Sequence, residues 1–218
     1  MPCLGSQATF PKGYVAVYGW SMSFFDDLPE PPPRPRQPQP VRPEWAGPPS
    51  GELPGVVSPL GFVLRGPNAV VALKMVEVFS TGCLLDLVWC VRRSDESDQE
   101  WREVMERSFQ GPGRPGILIG ARLPDGRKAF AGTTTPSMFE GSEEVAGPVL
   151  VDWGGAGGSA GDQQAEGSVR YWLWPLPAEG ELQIVAKWDD QGLPESTLKV
   201  PGDRLATARG EVREYWPV

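Results

Sequence analysis

Apolar and polar positions alternate most clearly in the middle of the chain. GFVLR (61–65) reads as a short strand. NAVVALKMVEVF (68–79) reads as a second, with Val71, Leu73, Met75 and Phe79 alternating with Val70, Ala72, Lys74, Val76 and Val78, and Glu77 interrupting the first set. CLLDLVWCVRR (83–93) puts Cys83, Leu85, Leu87, Trp89 and Val91 on one face of a third, and Thr81-Gly82 ahead of it suits a hairpin turn. Residues 117–123 and 127–133 flank Pro124-Asp125-Gly126, another hairpin signal. Further strands are expected at 148–153, 169–175, 182–188 and 197–200, with Leu182, Ile184, Ala186 and Trp188 sharing a face.

RYWLWPLP (170–177) departs from the alternation. Tyr171 and Leu173 point one way and Trp172 and Trp174 the other, so a strand here has no polar face. Either the protein covers both faces, or one is an aromatic surface for a ligand or partner. Tyr171 and Leu173 are expected in the core. Trp172 and Trp174 are expected beneath the segment around Trp45 or a helix ending at Trp216.

Helical spacing occurs twice. In 95–109, Trp101, Val104, Met105 and Ser108-Phe109 form a short peripheral stripe. In 203–216, Asp203 is placed as an N-cap and Leu205, Ala208, Val212 and Tyr215-Trp216 form the apolar stripe. Many short strands, turn residues between them and few helices predict an all-β fold: one antiparallel β-sandwich, Ig-like or jelly-roll-like, with a short C-terminal helix. Most strands lack the helix-length crossover that a parallel sheet needs.

Proline changes this picture at one end. Residues 26–59 hold twelve prolines, a density incompatible with helix or sheet interior. PEPPPRPRQPQP is expected to run as polyproline II, and Pro31, Pro32, Pro33 and Arg34 resemble a ligand for an aromatic-lined groove, against the plainer reading of a semi-rigid tether. Trp45, Leu53, Val56 and Val57 lie among the later prolines and are expected to anchor EWAGPPSGELPGVV on the folded domain. The organisation reads as a leader at 1–25, a Pro-rich arm at 26–59 and a sandwich domain at 60–218. Within the leader, Met22 is a second plausible start and 14–18 a short strand.

Charge and missing residue types exclude several functions. Net charge is −8, which repels phosphate backbones and anionic lipid, so neither nucleic acid nor membrane is expected as a partner. The chain has no histidine, which removes Ser-His-Asp and Cys-His catalysis and His-ligated metals. Cys3, Cys83 and Cys90 form no disulfide framework; along one strand the last two would sit roughly 23 Å apart. Reduced thiols, no apolar run of membrane-spanning length and no signal-peptide pattern point to the cytoplasm.

The remaining chemistry is sparse. GGAGGSAG (154–161) superficially matches a dinucleotide fingerprint, but another strand follows where the fingerprint needs a helix, so a surface loop is expected and no cofactor. Asp152, Asp162 and Glu166, with Glu143-Glu144, match no calcium spacing and read as solvated charge; no metal is expected. Asp86, inside an apolar strand, is expected either to pair with a basic side chain such as Lys74 or Arg92 or to sit on an exposed face. The hydroxyls of Thr133, Thr134, Thr135 and Ser159 have no activating neighbour, and thiols in apolar surroundings are inert.

RYWLWPLP, with GPVLVDWGGAGG before it and LQIVAKWDDQGLPES after it, resembles a family of uncharacterised proteins from high-GC actinobacteria. The entry EWAGPPSGELPG and the closing LATARGEVREYWP share the resemblance, which covers Met22 onward. It carries no activity, cofactor or catalytic residues, and implies a bacterial cytoplasmic protein. The expected function is non-enzymatic binding or scaffolding through contacts with another protein, with Trp45, Trp172, Trp174, Trp216 and Pro31–Arg34 as candidate binding residues. The alternatives are a carbohydrate or small-ligand module using Trp172 and Trp174 as a stacking platform, and a hydrolase using carboxylates alone.

Overall fold

A computed structural model describes residues 42–58, 61–109, 116–132, 145–154 and 157–216. Candidate residues Pro31, Pro32, Pro33 and Arg34 lie outside them, as do the readings at 1–25, Glu143-Glu144 and Thr133–Thr135.

The described chain is an antiparallel β-sandwich. In chain order its strands are β1 (Glu52–Leu53), β2 (Gly55–Val57), β3 (Gly61–Arg65), β4 (Ala69–Val78), β5 (Cys83–Arg92), β6 (Ile117–Arg122), β7 (Lys128–Phe130), β8 (Val149–Asp152), β9 (Gly157–Ala160), β10 (Gln164–Trp174), β11 (Leu182–Trp188), β12 (Leu193–Val200) and β13 (Arg213–Glu214). The helices are α1 (Asp98–Phe109) and α2 (Gly202–Gly210). One sheet runs β2-β4-β5-β10-β8, with β3 on the far edge of β4 beside β2, and β9 on the far edge of β10 beside β8. The facing sheet runs β12-β11-β6-β7. A bridge between Ala131 and Leu150 links the sheets on one side, and β3 lies against β12 on the other.

The core forms where the inward rows meet. Cys83, Leu85, Leu87, Trp89 and Val91 of β5, and Tyr171 and Leu173 of β10, pack against Leu182, Ile184, Ala186 and Trp188 of β11. Trp89 and Trp188 meet edge to face across the two sheets, 6.2 Å between ring centroids. The interruption at Glu77 has a structural cause. The β4–β5 register shifts between Leu73 and Met75, so the buried set changes from Ala69, Val71 and Leu73 to Val76 and Val78. A bulge inserts one residue and reverses the facing of everything after it. Asp86 is nearly buried on the opposite face and sits 3.6 Å from Lys74, one of the basic side chains expected as its partner if it was not to be exposed.

α1 starts with a capping box. The Glu100 carboxylate accepts from the Ser97 N–H at 2.8 Å, and the Ser97 hydroxyl accepts from the Glu100 N–H at 3.4 Å. Its Trp101 is buried and donates from Nε1 to the Gly161 carbonyl at 2.9 Å.

Two elements differ from the sequence reading. The C-terminal helix stops at Gly210 rather than 216, and its N-cap position is Pro201, not Asp203. Leu205 and Ala208 are its buried positions. Glycine disfavours further helix, and the next residues have an edge to join: β13 pairs with β1, and the Tyr215 N–H donates to the Gly51 carbonyl at 2.8 Å. The sandwich also takes in residues ahead of 60, because β2 pairs with β4 and the helix α2 packs on β2. Gly55 makes that contact possible. A Cβ there would come within 1.8 Å of the Ala208 carbonyl oxygen.

Candidate functional site

The outer face of the large sheet divides in two. At the β8 end lies a second apolar cluster, separate from the main core: Phe79, Leu84, Val149, Val151 and Trp172, with Trp45, Val145, Trp153 and Trp174 packed against it. Strand facing dictates the membership. Trp172 pairs in register with Leu84 of β5 and Val151 of β8, and Trp174 with Val149, so one row of apolar side chains crosses three strands.

The cover over this row is the segment around Arg42–Gly47, a single 3₁₀ turn at Glu44–Ala46 with short flanks. Trp172 has no exposed surface; its Nε1 donates to the Glu44 carbonyl at 2.9 Å. Trp174 is half-buried and its Nε1 makes a longer contact, 3.4 Å, to the Glu44 carboxylate. The Arg42 guanidinium sits 4.7 Å above the Trp153 ring, a cation–π distance, and a Cβ on Gly47 would run into that ring. Beneath the Trp172 indole lies Gly82, where a Cβ would come within 2.4 Å of the ring and 2.6 Å of the Leu173 carbonyl oxygen. Phe79 meets the same indole edge to face, centroids 5.7 Å apart.

The candidate residues therefore separate. Trp45, Trp172 and Trp174 come together, with Trp153 added by the structure. Trp216 does not join them: it follows β13 and is 83% exposed, so it covers nothing on this face. Trp153 was visible in the sequence two residues beyond Val151 on the same strand face, which is the signal that could have included it. A flat, open pair of indoles, which sugar stacking requires, is not present at Trp172 and Trp174.

Past the covered row the same face is open. A groove of about 470 Å³ is lined by Phe62, Val70, Ala72, Val88, Cys90 and Glu166, among others. Glu166 accepts from Ser159 Oγ at 3.3 Å and Gln164 Nε2 at 3.2 Å. Burial and then the Glu166 carboxylate push the Cys90 thiol up, and burial alone pushes Cys83 up to about 12. Both thiols are held protonated, the weakly nucleophilic form. Tyr171, on the core side of β10, is pushed up to about 12 by burial and then by Asp152. Between the two halves, Arg170 bridges to Glu77 at 2.5 Å.

The glycine run is structured differently from a cofactor loop. Gly157–Ala160 is a strand paired with 165–168 of β10, and the Gly161 N–H donates to the Gln164 carbonyl to close the hairpin. No helix N-terminus follows to receive a pyrophosphate. Among the described residues no group of three or more cysteine or acidic side chains could hold a metal ion, and no helix is long and apolar enough to cross a membrane. No protein-family model, no curated protein and no solved structure matches the chain.

Proposed function

We propose that this protein is a non-enzymatic binding protein that acts through contacts with another protein, with the proline-rich sequence at Pro31–Arg34 as its ligand segment. The observation behind this reading is the clasp at Arg42–Gly47. It uses the tryptophan row for anchoring, and it fixes the chain to the sandwich immediately after the proline-rich stretch. Extended proline-rich segments bind aromatic grooves at low entropic cost, and a firmly held attachment point lets such a segment serve two bodies at once. The acidic total charge weighs against nucleic acid or an anionic membrane as the partner.

Two deletions separate the arm from its anchor. Removing residues 26–41 should leave the unfolding midpoint unchanged while abolishing capture of specific proteins from a lysate of the native organism. Removing 26–47 should also cost about 3 kcal/mol of stability, because it exposes the buried Trp172 indole to water and removes the Nε1–H bond to the Glu44 carbonyl. Undiminished capture of the same proteins by the 26–41 deletion would eliminate the arm as the binding element.

A further inference from the structure

The outer face of the small sheet carries a pattern that the arm does not explain. Its outward positions form rows across the strands. In one row Lys128 of β7 is opposite Arg122 of β6, Arg122 is opposite Gln183 of β11, and Gln183 is opposite Lys199 of β12. Strands lie about 4.8 Å apart, so three cations fall within roughly 15 Å. Like charges directly opposite one another destabilise a sheet, and this row stands on a chain of net charge −8. Lys199 reaches Glu181 at the rim. Among the described residues Arg122 makes a long 3.5 Å contact to Gln183, and its Nε is buried without a hydrogen-bond partner there.

The adjacent row carries no charge and is mostly apolar. Phe130 is opposite Gly120, Gly120 opposite Val185, and Val185 opposite Thr197. The Phe130 ring leans over Gly120, its Cδ1 3.4 Å from where a Cβ would stand, and beside it lies a trough of about 190 Å³ bordered by Leu118, Phe130, Val185, Lys187 and Glu195. Leu118 and Phe130 are 60% and 55% exposed. The trough is smaller than the ~300–1,000 Å³ of small-molecule sites. Its scale suits one bulky side chain.

We propose that this face docks a partner protein through an acidic segment bearing an aromatic or branched aliphatic residue. The segment's carboxylates meet Lys128, Arg122 and Lys199, and its apolar side chain enters the trough between Phe130, Leu118 and Val185. Charge complementarity selects the acid. The neighbouring trough favours a polypeptide over a phosphate polymer, which would leave those apolar groups uncompensated. An anionic bilayer is disfavoured because its recognition uses clusters of about four to eight basic residues, more than this row contains.

The test is a selection of short random displayed peptides on the full-length protein, followed by affinity measurements on the enriched sequences. Enrichment of Asp and Glu interleaved with Phe, Leu or Val is expected. Affinity should fall at least about tenfold in the double variant Lys128→Glu/Lys199→Glu. Phe130→Ser should weaken binding while leaving its salt dependence intact, and Arg102→Glu, on α1, should change nothing. Thermal melts of each variant establish that it is folded. Enriched peptides without acidic residues, or equal binding by the double variant, would overturn the proposal. So would phosphatidylglycerol vesicles or single-stranded DNA binding through these residues in place of peptide, or self-association that Phe130→Ser abolishes.

Discussion

Trp172→Ala is expected to lower the unfolding free energy by about 4 kcal/mol, among the largest effects any single side chain of this domain can produce. The indole is wholly buried between Phe79, Gly82 and the Glu44 turn. Truncation removes its packing, leaves a cavity, and strands the Glu44 carbonyl. Trp172→Phe keeps most of the volume and loses the N–H, so about 2 kcal/mol is expected. Guanidinium unfolding with an unchanged m-value reads both. A loss below about 1 kcal/mol for the alanine variant would mean that the 42–47 segment does not cover this row. Domains of this kind have about 5–15 kcal/mol in total, so the alanine variant should be visibly close to threshold.

Gly55→Ala is the second large effect, expected at about 3 kcal/mol. An added methyl at Gly55 has no flexible side chain to displace. It meets the Ala208 carbonyl at 1.8 Å and the Ala208 Cα at 2.9 Å, both backbone atoms of α2. The helix must move off β2 as a unit, taking Leu205 and Ala208 out of the core. Amide exchange should then accelerate across Gly202–Gly210 while the centre of β5 stays protected. Uniform exchange at wild-type rates would show that α2 does not rest on this glycine.

Most of the sandwich was legible because side-chain period and strand facing are local properties. The span 182–188 matches β11, and Tyr171 and Leu173 enter the core as their alternation with Trp172 and Trp174 requires. What was not legible depends on pairing. The β4 bulge is a two-strand feature, visible in one strand only as an interruption at Glu77. β9 forms from glycine, serine and alanine, weak strand formers, because the neighbouring edge of β10 supplies hydrogen bonds. The C-terminal stripe through Tyr215-Trp216 fitted a helix, yet β13 exists because β1 offered an edge. At the candidate site, the tryptophan row was readable, as was the segment around Trp45 as one of its two expected covers. That Glu44, a charged residue, meets both indole N–H groups could not be read from periodicity. Nor could the basic row Lys128–Arg122–Lys199, whose members are separated by up to 77 positions and are joined only by register.

The outer aromatic row of β10 is sealed by the chain's own Arg42–Gly47 segment. Solvent exchange of the tryptophan indole N–H groups, resolved by NMR on the full-length protein, reads out that seal. Trp172 should exchange slowly, held by the Glu44 carbonyl, and Trp216, 83% exposed, should exchange at the rate of a free indole. A Trp172 N–H that exchanges as fast as that of Trp216 would mean that the segment does not seal the row, and would return it to the surface as an open binding platform.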